Sequence, residues 1–373
     1  MYANGAACAV DADWVGRLGS GMNQVAPDRT AFRAELRRSF ETALIAAAGA
    51  GVFVLLKVPA GPVLGALLFT AAAALAGRKL GWSRRVRNLL FLLTGLGAGA
   101  SVTPAAVMAA KTWPLSLAAL VVSTAAMWSL GAIVFARLSR ADRTTAMFAS
   151  APGALSAVMV LAEEQQANVV GVAVAQTLRI STLVAMAPLA LSFGHPTPME
   201  PHAAPLLGGA VGWLVLAVSV LAGVALAHRL RWPVPIFLGA MTGSALVHGT
   251  GFVAAALPPQ SFQVAAAGIG AVIGSRFSGI RLSDLLRLLP PSLASLVVMA
   301  VVGAPLGAAV GWMVGVGPAA GLMAFAPGSM EMMVAVSITL NAHPAYVAAH
   351  HLSRTILLLA ALPWLARRRQ PES

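Results

Sequence analysis

Residues 151–179, "APGALSAVMVLAEEQQANVVGVAVAQTLR", and residues 326–354, "APGSMEMMVAVSITLNAHPAYVAAHHLSR", open on the same triplet and close on an arginine, 175 positions apart at both landmarks. Extended to forty residues each, 151–190 and 326–365 share ten identities, among them Arg179 with Arg354 and Pro188 with Pro363. Two unrelated apolar helices would coincide mainly at Ala and Leu. Coincidence at Pro, Gly and Arg in register points to a duplicated unit. Upstream, "GPVLGALL" (61–68) resembles "VPIFLGAM" (234–241), and "GLGA" (95–98) matches "GIGA" (268–271) at an offset of 173. The chain therefore divides into a polar tail (1–40), a first repeat (41–193), a linker without Lys or Arg, "GHPTPMEPHAAP" (194–205), a second repeat (206–367) and a short tail (368–373).

Of 373 residues, 58% are hydrophobic and 10% charged, and the mean hydropathy is +0.82, well outside the range of a soluble globule. Runs of bilayer-spanning length fall at 40–58, 89–108, 114–136, 169–191, 206–227, 234–256, 292–314 and 346–365, with shorter Gly/Pro-broken runs between them. These runs are apolar all round and lack the charged stripe of a soluble helix, which predicts an all-α polytopic membrane protein. The first forty residues carry Asp11, Asp13 and Asp28 and no apolar core, so the first run is expected to act as an uncleaved signal anchor.

The net charge of +13 lies in short clusters between apolar runs, notably 33–38, 78–87, 137–143, 229–231, 276–287 and 367–369. Such clusters mark cytoplasmic loops. Neither zinc-finger spacing nor a basic stripe with interleaved aromatics accompanies them, so no nucleic-acid partner is expected. The single cysteine, Cys8, supports neither a disulfide framework nor a metal cluster, and no cofactor or metal is expected. If every apolar segment crossed, six per half, the basic clusters would fall on both sides. Removing the Ala-Pro-Gly segment of each half places them all on the cytoplasmic side, because a Pro-Gly pair breaks a helix. Five crossings per half is an odd number, which makes the second repeat inverted relative to the first, an arrangement in which broken helices meet near the midplane. Both termini are then cytoplasmic and the linker faces the other side.

The doubled pattern of "P-x-L-G-A", "G-x-G", "A-P-G-x-x-x-x-M" and an arginine-bearing helix resembles the AbrB-type membrane proteins with a duplicated domain, over residues 41–367. The resemblance implies a transport-like membrane protein or a regulator of gene expression; an older family label is ammonia monooxygenase-like. Members are unrelated to the small DNA-binding namesake. Family members often carry Glu a few residues beyond the Pro-Gly pair; Glu331 fits, whereas Ser156 stands at the matching place in the first half.

An arginine inside an apolar helix needs compensation, costing about 2.5 to 3.5 kcal/mol on the insertion scale. Gln176 precedes Arg179 by three positions, and His350 and His351 precede Arg354 by four and three, each set on one helix face. Together with Pro152, Gly153, Ser156, Pro327, Gly328 and Glu331 they form a candidate substrate site for a small anion, with the break exposing N–H groups at a half-helix start. Glu331 would pair with an arginine or carry a coupling proton. The competing reading makes each arginine structural, capping carbonyls of a broken helix or snorkelling to an interface. The histidines equally suit backbone bonds, and the glycines helix packing in place of a nucleotide loop. The expected function is a secondary transporter of a small solute in the inner (plasma) membrane, not an enzyme, with the bilayer, a small solute or ion and possible self-association as its partners. A membrane regulator without transport, or a monooxygenase-like protein, are the alternatives.

Overall fold

The computed structural model describes residues 29–153, 155–186, 209–253, 255 and 257–367. The expected linker, the tail 368–373, Pro188 and most of the polar tail lie outside the described residues.

The described chain is helical, without strands. Its first half runs through α1 (Arg29–Leu55), α2 (Gly61–Leu75), α3 (Arg84–Ala100), α4 (Pro104–Ala109), α5 (Trp113–Ser139), α6 (Arg143–Ser150), α7 (Leu155–Glu164) and α8 (Val169–Met186). The second half follows with α9 (Gly209–Arg229), α10 (Pro235–Gly249), α11 (Pro259–Gly274), α12 (Leu282–Met313), α13 (Pro318–Phe325), α14 (Met330–Thr339) and α15 (Pro344–Arg367). Helix α1 begins inside the segment expected to be a polar tail. Its run of Ala, Glu, Leu and Arg has high helix propensity, and Glu35 and Ser39 accept from the backbone N–H groups of Arg84 and Ser83 at 3.3 and 2.7 Å.

Among the described residues, five segments are long and apolar enough to cross a bilayer: Arg33–Leu55, Pro104–Ser139, Val169–Met186, Gly209–Arg229 and Leu282–Met313. The expected run 89–108 is broken because Pro104 starts a new helix, capped by the Thr103 hydroxyl, after α3 ends at Ala100. The run 234–256 ends early, at Gly249.

Glycine lets neighbouring helices touch along their backbones. A Cβ on Gly65 of α2 would meet the Gly49 carbonyl oxygen of α1 at 2.1 Å, and one on Gly321 of α13 would meet that of Gly307 in α12 at 1.9 Å. Helices α5 and α12 lie side by side and antiparallel: the Ser295 hydroxyl donates to the Gly131 carbonyl at 3.0 Å, and Thr112 at the start of α5 reaches Val314 at the end of α12. Across the halves, α3 packs on α10 and α2 on α11. Three of the basic clusters gather at one end: Arg78 pairs with Glu41, the Ser278 hydroxyl accepts from the Leu80 N–H at 3.2 Å, and Arg140 shares a cavity with Arg281 and Arg287.

Left-handed backbone is rare outside glycine, yet it recurs here at fixed spacing. Positive φ occurs at Lys57 and Arg231, Ala60 and Val234, and Gly77 and Gly251, pairs 174 apart. It also occurs at Arg140 and Gly315 and at Gln166 and Asn341, pairs 175 apart.

Candidate functional site

Each Ala-Pro-Gly triplet ends one short helix and precedes another. Helix α6 stops at Ser150, where Pro152 can no longer supply an N–H, and Gly153 turns the chain with φ of 100°. Helix α7 then returns toward the starting side, since the Asn168 N–H donates to the Thr145 hydroxyl at 2.9 Å. The pair is a hairpin that leaves where it entered. In the second half, α13 ends at Phe325 and α14 starts at Met330 around Pro327 and Gly328, both buried.

A helix end leaves its last carbonyls without partners. At α6 they are met by side chains of α5 and α8. The Trp128 indole donates to the Met147 carbonyl at 2.8 Å. Gln176 Nε2 donates to Phe148 at 2.8 Å and Ala151 at 3.1 Å. Arg179 donates from Nη1 to Ala149 at 3.1 Å and from Nη2 to Ala151 at 2.8 Å, with Gln176 Oε1 accepting beside it. At α13 the donors come from α15. His351 Nε2 donates to the Met323 carbonyl at 3.0 Å, Arg354 Nη2 to Ala324 at 2.7 Å, and Arg354 Nη1 to Ala326. Every member of this second set lies 175 positions after its counterpart: Gln176 and His351, Arg179 and Arg354, Phe148 and Met323, Ala149 and Ala324, Ala151 and Ala326.

Arg179 and Arg354 are 4% and 1% exposed, and each Nε–H is buried without a partner. Among the described residues neither guanidinium meets a carboxylate. The two arginines lie near enough for their charges to interact. The two breaks also approach: a Cβ on Gly153 would lie 3.8 Å from both the Gly328 carbonyl oxygen and Leu358 of α15.

The remaining expected residues separate. His350 does not join the arginine. Its Nδ1 lies 2.8 Å from the Tyr346 carbonyl and its Nε2 2.9 Å from the Ser116 hydroxyl of α5, among Trp113, Phe325 and Tyr346. Glu331, half-buried in the first turn of α14, has Arg276 as its charged neighbour, not Arg354. Ser156 lies in the first turn of α7, its side chain outside the described residues. Trp128 and Ser116 escaped the sequence reading, since nothing in their own spacing announces a carbonyl or imidazole contributed by another element.

The family model described as "Transition state regulatory protein AbrB" matches residues 62–370. The chain is also 26% identical over 344 residues to "Uncharacterized protein YhjN" of Bacillus subtilis (strain 168), covering 86% of this chain and 90% of that protein. Because the match takes in both broken hairpins and both arginine-bearing helices, the chain belongs to the AbrB family.

Proposed function

We propose that this membrane protein is an inverted-repeat secondary transporter of a small anion, with its site where the two broken hairpins approach. The repeat is supported by the offset of 175 in the capping network and by the paired positive-φ positions. Inversion is supported by the antiparallel contact of α5 with α12, which occupy the same place in each half: a two-fold axis lying across the helices produces that arrangement. In this reading α1, α2, α3, α5 and α8, and then α9, α10, α11, α12 and α15, make five crossings each, with α2, α3, α10 and α11, of 15, 17, 15 and 16 residues, as short crossings beside the longer ones. The basic end is cytoplasmic.

One observation carries the choice of anion. Two buried guanidiniums cap the two breaks that approach one another, and no carboxylate among the described residues offsets them. Removing charges from water is costly unless they are paired, and a small anion supplies the missing charge. Arg179 and Arg354 act first as positioning residues, since their Nη donors hold α6 and α13 in place; each Nε–H remains for the solute. The start of α14 adds N–H groups that Ser329 does not cap by its side chain. Glu331 and Arg276 provide a titratable pair beside the break for coupling. The word "regulatory" in the family's description is accommodated if the transported solute itself changes gene expression.

The test is reconstitution in liposomes with uptake of chloride, nitrate, acetate and succinate, alongside thermal melting of purified protein in each salt at matched ionic strength. At least one anion is expected to be taken up and to raise the melting temperature above the others. No uptake and identical melting in all four would overturn the reading.

A further inference from the structure

A second place in the molecule also invites an anion. At the basic end lies a cavity of about 510 Å³, where the end of α5 meets the starts of α6, α8 and α12. Its polar lining includes Arg140, Asp142, Asn168, Arg281, Asp284 and Arg287. Each of its side-chain amide and carboxylate groups already accepts at least one hydrogen bond. Asp142 accepts from the Thr145 N–H at 2.8 Å and from the Thr145 hydroxyl at 2.5 Å, Asp284 from Arg281 Nε at 2.9 Å, and Asn168 Oδ1 from the Gly171 N–H at 2.9 Å. Arg140 and Arg287 have no carboxylate partner among the described residues. Arg140 ends α5 in a left-handed conformation, with φ of 55°, so the turn itself fixes where its side chain starts.

The fold does not require these cations. In the other half, Gly315 stands 175 positions after Arg140 and shares its left-handed backbone but carries no charge. The positions 174 before Arg281 and Arg287 are Val107 and Trp113. The cationic set is thus an addition to one end of the pseudo-symmetric frame.

We propose that this cavity binds an anion carrying a phosphate group, held between Arg140 at the end of α5 and Arg287 on α12. A guanidinium presents a planar fork that meets phosphate oxygens two at a time, which a lone ammonium does not. The space exceeds what a single inorganic ion fills, leaving room for the organic body that bears the phosphate. The starts of α6, α8 and α12 turn three positive dipole ends toward the cavity against the one negative end of α5. Because the site spans α5, α12 and the mouth of the α6–α7 hairpin, an occupant ties the first broken hairpin to the second half. The phosphate belongs either to a lipid headgroup of the adjoining leaflet or to a free phosphorylated solute. The assignment stands independently of the transport reading.

The experiment is thermal melting of the full chain, purified in a neutral detergent and titrated with inorganic phosphate or with dioctanoyl phosphatidylglycerol. Sodium chloride at equal ionic strength and dioctanoyl phosphatidylcholine serve as controls. Arg140→Gln combined with Arg287→Gln is compared with Arg84→Gln combined with Arg85→Gln, which alters charge at the same end but outside the cavity. The expected result is a rise in melting temperature whose midpoint concentration weakens at least about tenfold in the cavity variant, because neither glutamine can replace a charge-assisted guanidinium–phosphate pair, and stays unchanged in the other. Response to phosphatidylglycerol alone identifies a headgroup; response to inorganic phosphate identifies a free solute. Equal midpoints in the wild type and the cavity variant, or a rise that chloride reproduces, would overturn the proposal.

Discussion

Arg179 and Arg354 each join two carbonyls that flank a helix break, a reach that depends on the guanidinium fork. Lysine keeps the charge but concentrates its donors on one nitrogen, so Arg179→Lys and Arg354→Lys are expected to lower the melting temperature. Arg354→Gln is expected to lower it further, at about 1–3 kcal/mol for each buried carbonyl left without a donor. Melting of purified protein in the absence of added solute checks this, and wild-type melting in all three variants would refute the capping role. Val234 offers the opposite sign. A β-branched residue at φ of 46° is strained, so Val234→Gly is expected to raise stability by up to about 1–2 kcal/mol, less the entropy that glycine loses on folding. Unfolding in graded denaturing detergent reads the difference, and a fall in stability would show that the Val234 side chain matters more than its backbone.

Helix contacts in this molecule depend on which glycines face a neighbour. Gly49 and Gly51 share α1, yet a Cβ on Gly49 would meet the Gly65 carbonyl oxygen at 2.2 Å, while one on Gly51 meets nothing within 4 Å. Gly49→Ala is expected to destabilise by about 1–3 kcal/mol through overpacking, and Gly51→Ala to stabilise by about 0.5–1 kcal/mol through helix propensity; similar melting of the two would contradict the α1–α2 contact. Asp142 caps α6 from the basic end. Partial burial pushes its carboxyl up, but bonds from the Thr145 hydroxyl and the backbone N–H groups of Thr145 and Thr144 outweigh this and hold it below the usual carboxylate range. With the folded value depressed, the stabilisation is present above the unfolded value of about 3.9 and is lost as pH falls through the folded one. Asp142→Ala is expected to cost about 1 kcal/mol at neutral pH, and its melting temperature should converge on the wild type's only in acid. The long apolar helices were legible in the sequence because length and composition alone define them, and the Pro-Gly pairs announced the breaks. The short helices α2, α11 and α13 were legible only as shorter Gly/Pro-broken runs between the long ones, without bounds, since helix ends carry weak signals where every neighbour is apolar. The partners of the arginines were hidden for a different reason. Backbone carbonyls have no side-chain signature, so the sequence left the capping and anion-binding readings both open, while the geometry assigns the Nη donors to carbonyls.

For the whole molecule, the central claim is that the second half repeats the first upside down. On that claim the α1–α2 and α9–α10 turns correspond, and each has positive φ at its tip: Lys57 in one and Arg231 in the other, both exposed. If the basic clusters mark the cytoplasmic side, Arg231 lies on that side, and inversion then puts Lys57 on the opposite one. The decisive measurement is labelling of Lys57→Cys and Arg231→Cys, each in a Cys8→Ser background, with a membrane-impermeant maleimide in intact cells and in inside-out vesicles. The account predicts that Lys57→Cys is labelled in intact cells only and Arg231→Cys in inside-out vesicles only; labelling of both from the same side would contradict it.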